Sequence, residues 1–251
     1  CLQFNLNNKH FQSIFLLSES NSDLQVFQNK FQKFVDDKKL ILIDHNRRLT
    51  FADAIAFVNN NKSINDNTII ILANADVFFD DSLSELVDDT LSNTVFALSR
   101  FDRIVSKNQV SYRFNHFVAP LSQDAWIYRK GCVPSLEFVT VAREERARLA
   151  DEMLTAYEKA PLQTESVSSV PLRNRVPNRK TLLSASIGRY AFGLPGADNR
   201  LVYELGRDDI VVRNACFRII VHHLHTTNVR HYDAEKDKVG PPYNVANPEP
   251  F

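Results

Sequence analysis

The stretch TIIILANADVFFDDSL, residues 68–83, decides how the fold is interpreted. Its first half is a short apolar run of the kind that forms a buried strand. Its second half carries an amide and three acids, more than a turn needs: Asn74, Asp76, Asp80 and Asp81. We predict that Asp80 and Asp81 cap a helix beginning at Ser82, because Asp is favoured at helix N-termini. Asn74 and Asp76 would then lie at the end of the strand.

Strand and helix patterns alternate around this stretch. Strands are predicted at 13–19, 39–44 and 68–73, with helices at 22–37, from Thr50 and from Ser82. That order favours a parallel sheet covered by helices. After residue 94 the predicted strands 94–102, 109–117, 124–130 and 137–142 follow one another without long helices. We therefore predict an α/β fold with a mixed sheet, mostly parallel in its N-terminal half, with helices on both faces.

The whole chain, residues 1–251, is predicted to form a single domain. A charged helix at 143–160 and a Ser- and Pro-rich loop at 161–181 form an excursion from it, and an extended Pro-rich tail begins at 239. A turn that contains Gly and Pro leads into a helix near Asp198. Two further strands are predicted in the segment 209–227.

Composition excludes several classes of protein. The 30 basic residues balance 30 acidic ones, so the basic excess of a nucleic-acid binder is absent. No apolar run is long enough to span a bilayer, and three cysteines without paired spacing do not form a disulfide framework. The chain begins at Cys1 and not at Met, so we expect a fragment. The compartment therefore stays open, cytoplasmic or lumenal as in the Golgi.

Asp76 is the first candidate functional residue. Ligands of open α/β sheets bind beyond the carboxyl ends of the strands. A carboxylate there can hold a divalent cation that bridges phosphate oxygens, and hard oxygen ligands favour Mg²⁺ or Mn²⁺. The alternative is that Asp76 is simply a turn residue.

Asp198 lies in the first turn of a predicted helix, next to Asn199 and Arg200, which we predict to contact the substrate. It is either a general base for a substrate hydroxyl or an acid placed favourably in the helix dipole. His223 and His225 share one face of a predicted strand and could both bind a metal, or could be an ordinary histidine pair. Arg230 follows as a possible phosphate or sugar contact.

The remaining candidates flank other strands. Asp124 precedes Trp126, the only tryptophan, and an acid beside an aromatic ring is common in sugar sites. Arg100 and Asp102 share a face, as an ion pair or with Arg100 facing substrate. Arg47 and Arg48 follow a strand end, where arginine suits a diphosphate.

The order of these motifs resembles that of a GT-A-type nucleotide-sugar glycosyltransferase. The motifs are NAD, ALSRFD, SQDAWIY, GADNRLVYEL and HHLH, spread over residues 14–232. The resemblance implies a divalent metal, Mn²⁺ or Mg²⁺, a nucleoside-diphosphate sugar donor and a carbohydrate or glycoconjugate acceptor. Asp76 would match the last acid of the family's Asp-x-Asp motif, although Asn74 replaces the first. Asp198 would match the base of inverting members, and His223 or His225 the late histidine of the metal shell.

Two other functions compete with this one. A sugar-phosphate nucleotidyltransferase needs a Gly-rich loop near the N-terminus, but the six glycines all lie beyond residue 100. A non-catalytic carbohydrate-binding protein could keep the fold, and Asn74 in place of an acid favours that alternative.

Overall fold

The computed structural model describes residues 1–86, 91–106, 109–115, 122–133, 190–207, 210–224, 233, 236–241 and 243–249. The predicted strand 137–142 and the predicted excursion 143–181 lie outside the described residues.

Helices and strands are mixed along the chain. The helices are α1 (Leu2–Asn7), α2 (Asn21–Lys30), α3 (Gln32–Asp36), α4 (Phe51–Asn60) and α5 (Ala197–Arg207), with a 3₁₀ helix at Asp81–Glu85. The strands are β1 (Ile14–Ser18), β2 (Leu40–Asp44), β3 (Ile69–Ala73), β4 (Val77–Phe79), β5 (Thr94–Ser99), β6 (Phe101–Ser106), β7 (Gln109–Phe114), β8 (Gln123–Arg129), β9 (Val211–Arg213) and β10 (Val221–His223).

The strands form three sheets, and the protein is a mixed α/β structure. Strands β1 and β2 pair in parallel, while the central sheet has the order β3-β8-β5-β9 and the third sheet the order β4-β10-β6-β7. The prediction of a mostly parallel N-terminal half is correct for β1 and β2 only. β3 pairs antiparallel with β8, because β8 comes from the later part of the chain, where strands follow one another without long helices.

Two short crossings connect the central sheet to the third sheet. The chain leaves β3, passes residues 74–76 and enters β4; it also leaves β5, passes Arg100 and enters β6. β10 pairs with both β4 and β6, so it brings the two crossings together. This arrangement concentrates polar residues of distant sequence at one boundary between sheets.

The central sheet is covered on both faces. Successive residues of β8 alternate between two apolar clusters: Trp126 and Tyr128 face the one that includes α4 and α5, whereas Ala125 and Ile127 face the other. This alternation is the two-residue period of a strand buried on both sides. The sheet is therefore a rigid base for the groups at its ends.

Local sequence signals explain the helix boundaries. Thr50 and Asp53 form the predicted capping box of α4, each side chain bonding the other residue's backbone N–H. Asp80 caps the 3₁₀ helix through a 2.9 Å bond from the Ser82 backbone N–H, as predicted, whereas Asp81, predicted as a second cap, is the first residue of that helix. The predicted helix 22–37 is divided at Phe31 into α2 and α3.

Helix α1 was not expected. Asn5 of α1 and Asn8, the residue after that helix, bond the backbone of the edge strand β4: Asn5 donates to the Val77 carbonyl and accepts from the Phe79 N–H, and Asn8 donates to the Phe79 carbonyl. These amides satisfy a strand edge that would otherwise be open. In the described part of the chain, no helix has the length and apolar character needed to cross a lipid bilayer.

Candidate functional site

A histidine on β10 connects the two crossings. The Nε2 atom of His223 lies 3.1 Å from Oδ2 of Asp76, and its Nδ1 atom lies 2.9 Å from Oδ1 of Asp102. Burial lowers the pKa of His223, but hydrogen bonding to Asp76 and Asp102 outweighs burial, and the net shift is upward. The imidazole is thus held in a fixed orientation between two carboxylates.

Arg100 extends this arrangement to β8. Its Nε atom donates to Asp102 at 2.9 Å, and its NH1 group lies 3.0 Å from both carboxylate oxygens of Asp124. Asp124 is only 4 % exposed. The charges of both carboxylates raise the pKa of Arg100 although burial opposes this. A continuous hydrogen-bonded series therefore runs Asp76, His223, Asp102, Arg100, Asp124, and we call it the charge relay cluster.

Asn74 supports the cluster from β3. Its side-chain Nδ2 donates to Oδ1 of Asp124 at 2.8 Å, and its backbone N–H donates to the Asp124 carbonyl at 3.0 Å. In the described structure the Asn74 amide holds an acid in place, and its predicted contact with the donor stays a prediction.

Asp198 borders the cluster at the start of α5, and part of its surface is accessible. Burial raises the pKa of Asp198 well above its ordinary value, and the nearby charge of Asp124 raises it further. A hydrogen bond from the Gln123 backbone and the charge of Arg100 oppose the shift without reversing it. A carboxylate with a raised pKa is a stronger base than an ordinary one.

Asp76 and His223 fit a divalent cation. Octahedral coordination at about 2.1 Å separates neighbouring ligand atoms by about 3.0 Å, close to the 3.1 Å between Asp76 Oδ2 and His223 Nε2. Histidine ligands usually donate their other ring N–H to a carboxylate, and Nδ1 of His223 lies 2.9 Å from Oδ1 of Asp102, where such a bond would form. No group of three His, Cys, Asp or Glu residues arranged for a metal occurs among the described residues. Water and substrate oxygens would complete the shell of Mg²⁺ or Mn²⁺.

Arg113 lies next to this site and was not singled out by the sequence. In the strand register His223 pairs with Asp102, and Asp102 pairs with Arg113, so the three residues share one face of the sheet. Arg113 is exposed. Its neighbour Arg103, also exposed, belongs to the opposite face.

Three predicted site residues are in the interior and not at the site. Trp126 is 2 % exposed and packs edge-on against Phe51, so its ring cannot stack on a sugar. Asn199 donates to the Asn244 carbonyl, and Arg200 bonds Glu204 and the Pro241 carbonyl. The C-terminal tail covers these side chains, and this was not visible in the local motif.

The remaining predicted residues divide into two groups. Arg47 pairs with Asp53, and Arg48 pairs with Glu19 and donates to the Phe192 carbonyl, so both help to hold the loop before α4. Their predicted diphosphate contact stays a prediction. His225 and Arg230 lie outside the described residues.

Asp102 has a second contact at the candidate site that the sequence did not predict. It was considered only as an ion-pair partner of Arg100, but it also orients His223. The signal was available in the alternation of ALSRFD, which places Arg100 and Asp102 on one face. Its second partner, 121 residues away, could not be identified without the β6–β10 pairing.

We compared the chain with protein-family models, curated proteins and solved structures, and none of them matches it.

Proposed function

We propose that the chain is a metal-dependent glycosyltransferase of GT-A-type fold that moves a sugar from a nucleoside-diphosphate sugar to an acceptor hydroxyl. The observation that carries the proposal is the convergence of Asp76, His223 and Asp102 at the boundary between the central and third sheets. An oriented imidazole lies there between two carboxylates. Five residues chosen from separate motifs, Asp76, Arg100, Asp124, Asp198 and His223, adjoin one another there.

The charges of the site support a requirement for metal. Asp76, Asp102 and Asp124 outnumber Arg100, the one permanent cation of the charge relay cluster. A diphosphate brought to these carboxylates would be repelled unless a cation came with it. A bound Mn²⁺ or Mg²⁺ would neutralise the leaving diphosphate. Asp76 and His223 would hold it, and Asp102 would accept the Nδ1–H of His223, so that the lone pair of Nε2 would face the metal.

Asp198 is proposed as the general base. Its raised pKa makes the carboxylate a stronger base toward the proton of an acceptor hydroxyl. Arg100 holds Asp124 beside Asp198, and this negative charge keeps Asp198 basic. Arg113 adds a cation on the same face as Asp102, available to an anionic oxygen of the substrate.

Calorimetry with UDP and GDP tests the proposal, with Mn²⁺ present or removed by a chelator. We expect at least one nucleotide to bind only with Mn²⁺. Asp76→Ala should weaken that binding by at least about 100-fold, because it removes a metal ligand. Asp81→Ala is the matched control: it removes an exposed acid five residues away, and affinity should stay within about twofold of the wild type. Unchanged binding by Asp76→Ala would refute the assignment.

A non-catalytic carbohydrate-binding protein is the second candidate. It is favoured by Asn74, which stands where the resembling family has an acid and which bonds Asp124. Sugar binding that is unaffected by chelator, together with no affinity for either nucleotide, would support it over the transferase.

A further inference from the structure

The C-terminal tail, residues 239–249, contacts both elements that carry the site. At its start the Val239 N–H donates to the Pro195 carbonyl at 2.9 Å, and the Asn244 N–H donates to the Asn199 carbonyl at 3.0 Å. These bonds attach the tail to the first turn of α5, where Asp198 lies. Val239 and Ala246 are buried in the core beneath it. The tail is therefore an integral part of the packed structure.

At its other end the tail reaches Asn214, just after β9. The Glu249 N–H donates to the Asn214 carbonyl at 2.9 Å, and Glu249 pairs with Arg213 through two 2.7 Å bonds. The Asn214 side chain donates to the Ala246 carbonyl at 2.7 Å. Asn214 thus anchors the last third of the tail through both its backbone and its side chain.

The same side chain also holds Ser99, the residue before Arg100. Asn214 Oδ1 accepts from the Ser99 backbone N–H at 3.2 Å, and Asn214 Nδ2 donates to Ser99 Oγ at 2.8 Å. Asn214 and Ser99 are both fully buried, at 0 % exposure. With its oxygen occupied and both amide hydrogens donated, the Asn214 side chain can adopt only one orientation.

Ser99 is where the central sheet becomes irregular. The register between β5 and β8 shifts between Leu98 and Ser99, and Ser99 pairs with Gln123. The chain then turns at Arg100 into β6. Because the β5–β8 ladder is disturbed at this point, the backbone needs another partner to fix the direction of Arg100. Asn214 supplies that partner.

We propose that Asn214 is a positioning residue, which holds Ser99 so that Arg100 lies between Asp102 and Asp124 and which couples this geometry to the C-terminal tail. The tail in turn fixes the start of α5, so Asn214 and the tail set the relative positions of Arg100 and Asp198. The catalytic meaning of this geometry rests on the proposed function. The geometry itself can be tested without any substrate.

The test measures hydrogen exchange of the Arg100 Nε–H by NMR, with the signal assigned from its loss in Arg100→Lys. In the wild type the bond to Asp102 should protect this hydrogen. Asn214→Ala removes the three hydrogen bonds of the Asn214 side chain, and Ser99→Ala removes the bond between the Ser99 and Asn214 side chains. We expect exchange of the Arg100 Nε–H to accelerate about tenfold or more in both variants. About tenfold is the factor that corresponds to the net free energy of one ordinary hydrogen bond.

Asn59→Ala is the control, because Asn59 also donates a side-chain bond to a distant carbonyl, that of Val133, but does not bond the charge relay cluster. Exchange at Arg100 should stay within about twofold of wild type in that variant. Unchanged exchange in folded Asn214→Ala would overturn the proposal, as would equal acceleration in Asn59→Ala. If Asn214→Ala does not fold, Ser99→Ala decides in the same way. None of these results alters the nucleotide calorimetry, so the two proposals fail separately.

Discussion

Two arginine-centred clusters in this protein have similar parts but opposite surroundings. Arg100 bonds Asp102 and Asp124 at the boundary between two sheets, and the first of those acids is also shared with His223. Arg200 bonds Glu204, and Glu204 accepts a 2.9 Å bond from the Tyr190 hydroxyl. Arg200 also donates to carbonyls of the tail.

Accessibility and charge distinguish the two clusters. Glu204 is 2 % exposed, and the charge of Arg200 is neutralised by one carboxylate within the interior. In the charge relay cluster the acids exceed the permanent cation, and Asp76 and Asp102 are both about two-fifths exposed at their side chains. A closed, balanced cluster is costly to break, because it would leave a buried charge unpaired, whereas an accessible cluster with surplus negative charge can bind a cation.

The largest effect is expected from breaking the closed cluster. Glu204→Gln leaves Arg200 buried without its counter-charge, and we expect a loss of about 3–5 kcal/mol in the free energy of unfolding. Urea denaturation measures it. Glu249→Gln is the matched control, because it breaks a bidentate arginine pair at the surface and should cost at most about 1 kcal/mol. Similar losses in the two variants would contradict the distinction between buried and exposed pairs.

The pH dependence of stability sharpens the comparison at Asp198. Its pKa is raised in the folded protein, so between the unfolded value and the raised value only the unfolded chain ionises. The free energy of unfolding should then fall with rising pH by up to about 1.4 kcal/mol per pH unit, and level off above the folded pKa. Below the unfolded pKa the contribution is fully present.

Asp198→Asn removes this group from the titration. Urea denaturation from pH 4.5 to 8 measures the free energy of unfolding of both proteins. As pH rises, the wild type should lose free energy of unfolding relative to the variant. A difference that is constant over this range would show that Asp198 has an ordinary pKa.

A smaller effect is expected at the rim of the open cluster. Arg113→Gln should weaken Mn²⁺-dependent nucleotide binding about tenfold, since one charge-assisted hydrogen bond to an anionic oxygen is lost. Arg103→Gln removes the same charge one strand away on the opposite face, and it should have little effect. Calorimetry on both variants distinguishes a specific contact from general electrostatics: equal losses would indicate that only net charge matters.

The sequence allowed part of this site to be predicted, because strand ends and turn chemistry are local. Asp76 at the end of β3, Arg100 after β5 and His223 on β10 follow from apolar runs and their final polar residues. The cap of α4 by Thr50 and Asp53 is equally local.

What the sequence concealed depends on distant partners. Trp126 was expected to face a sugar, but Phe51 and the elements around α5 bury it. Arg200 was assigned to substrate because the tail that covers it lies forty residues further on. Arg113 was overlooked because only the pairing of β6 with β7 shows that it neighbours Asp102. Burial and register are tertiary properties, and a single motif does not contain them.

The most direct test of the account is to locate Mn²⁺ by paramagnetic broadening in NMR spectra of the labelled protein, with the metal added well below stoichiometry. If the open cluster binds the metal, the signals of Asp76, Asp102 and His223 should broaden first. Those of Tyr190 and Glu204 in the closed cluster should not broaden. Asp76→Ala should abolish this selective pattern. Broadening centred elsewhere, or the same pattern in Asp76→Ala, would contradict the claim that the open cluster is a metal site.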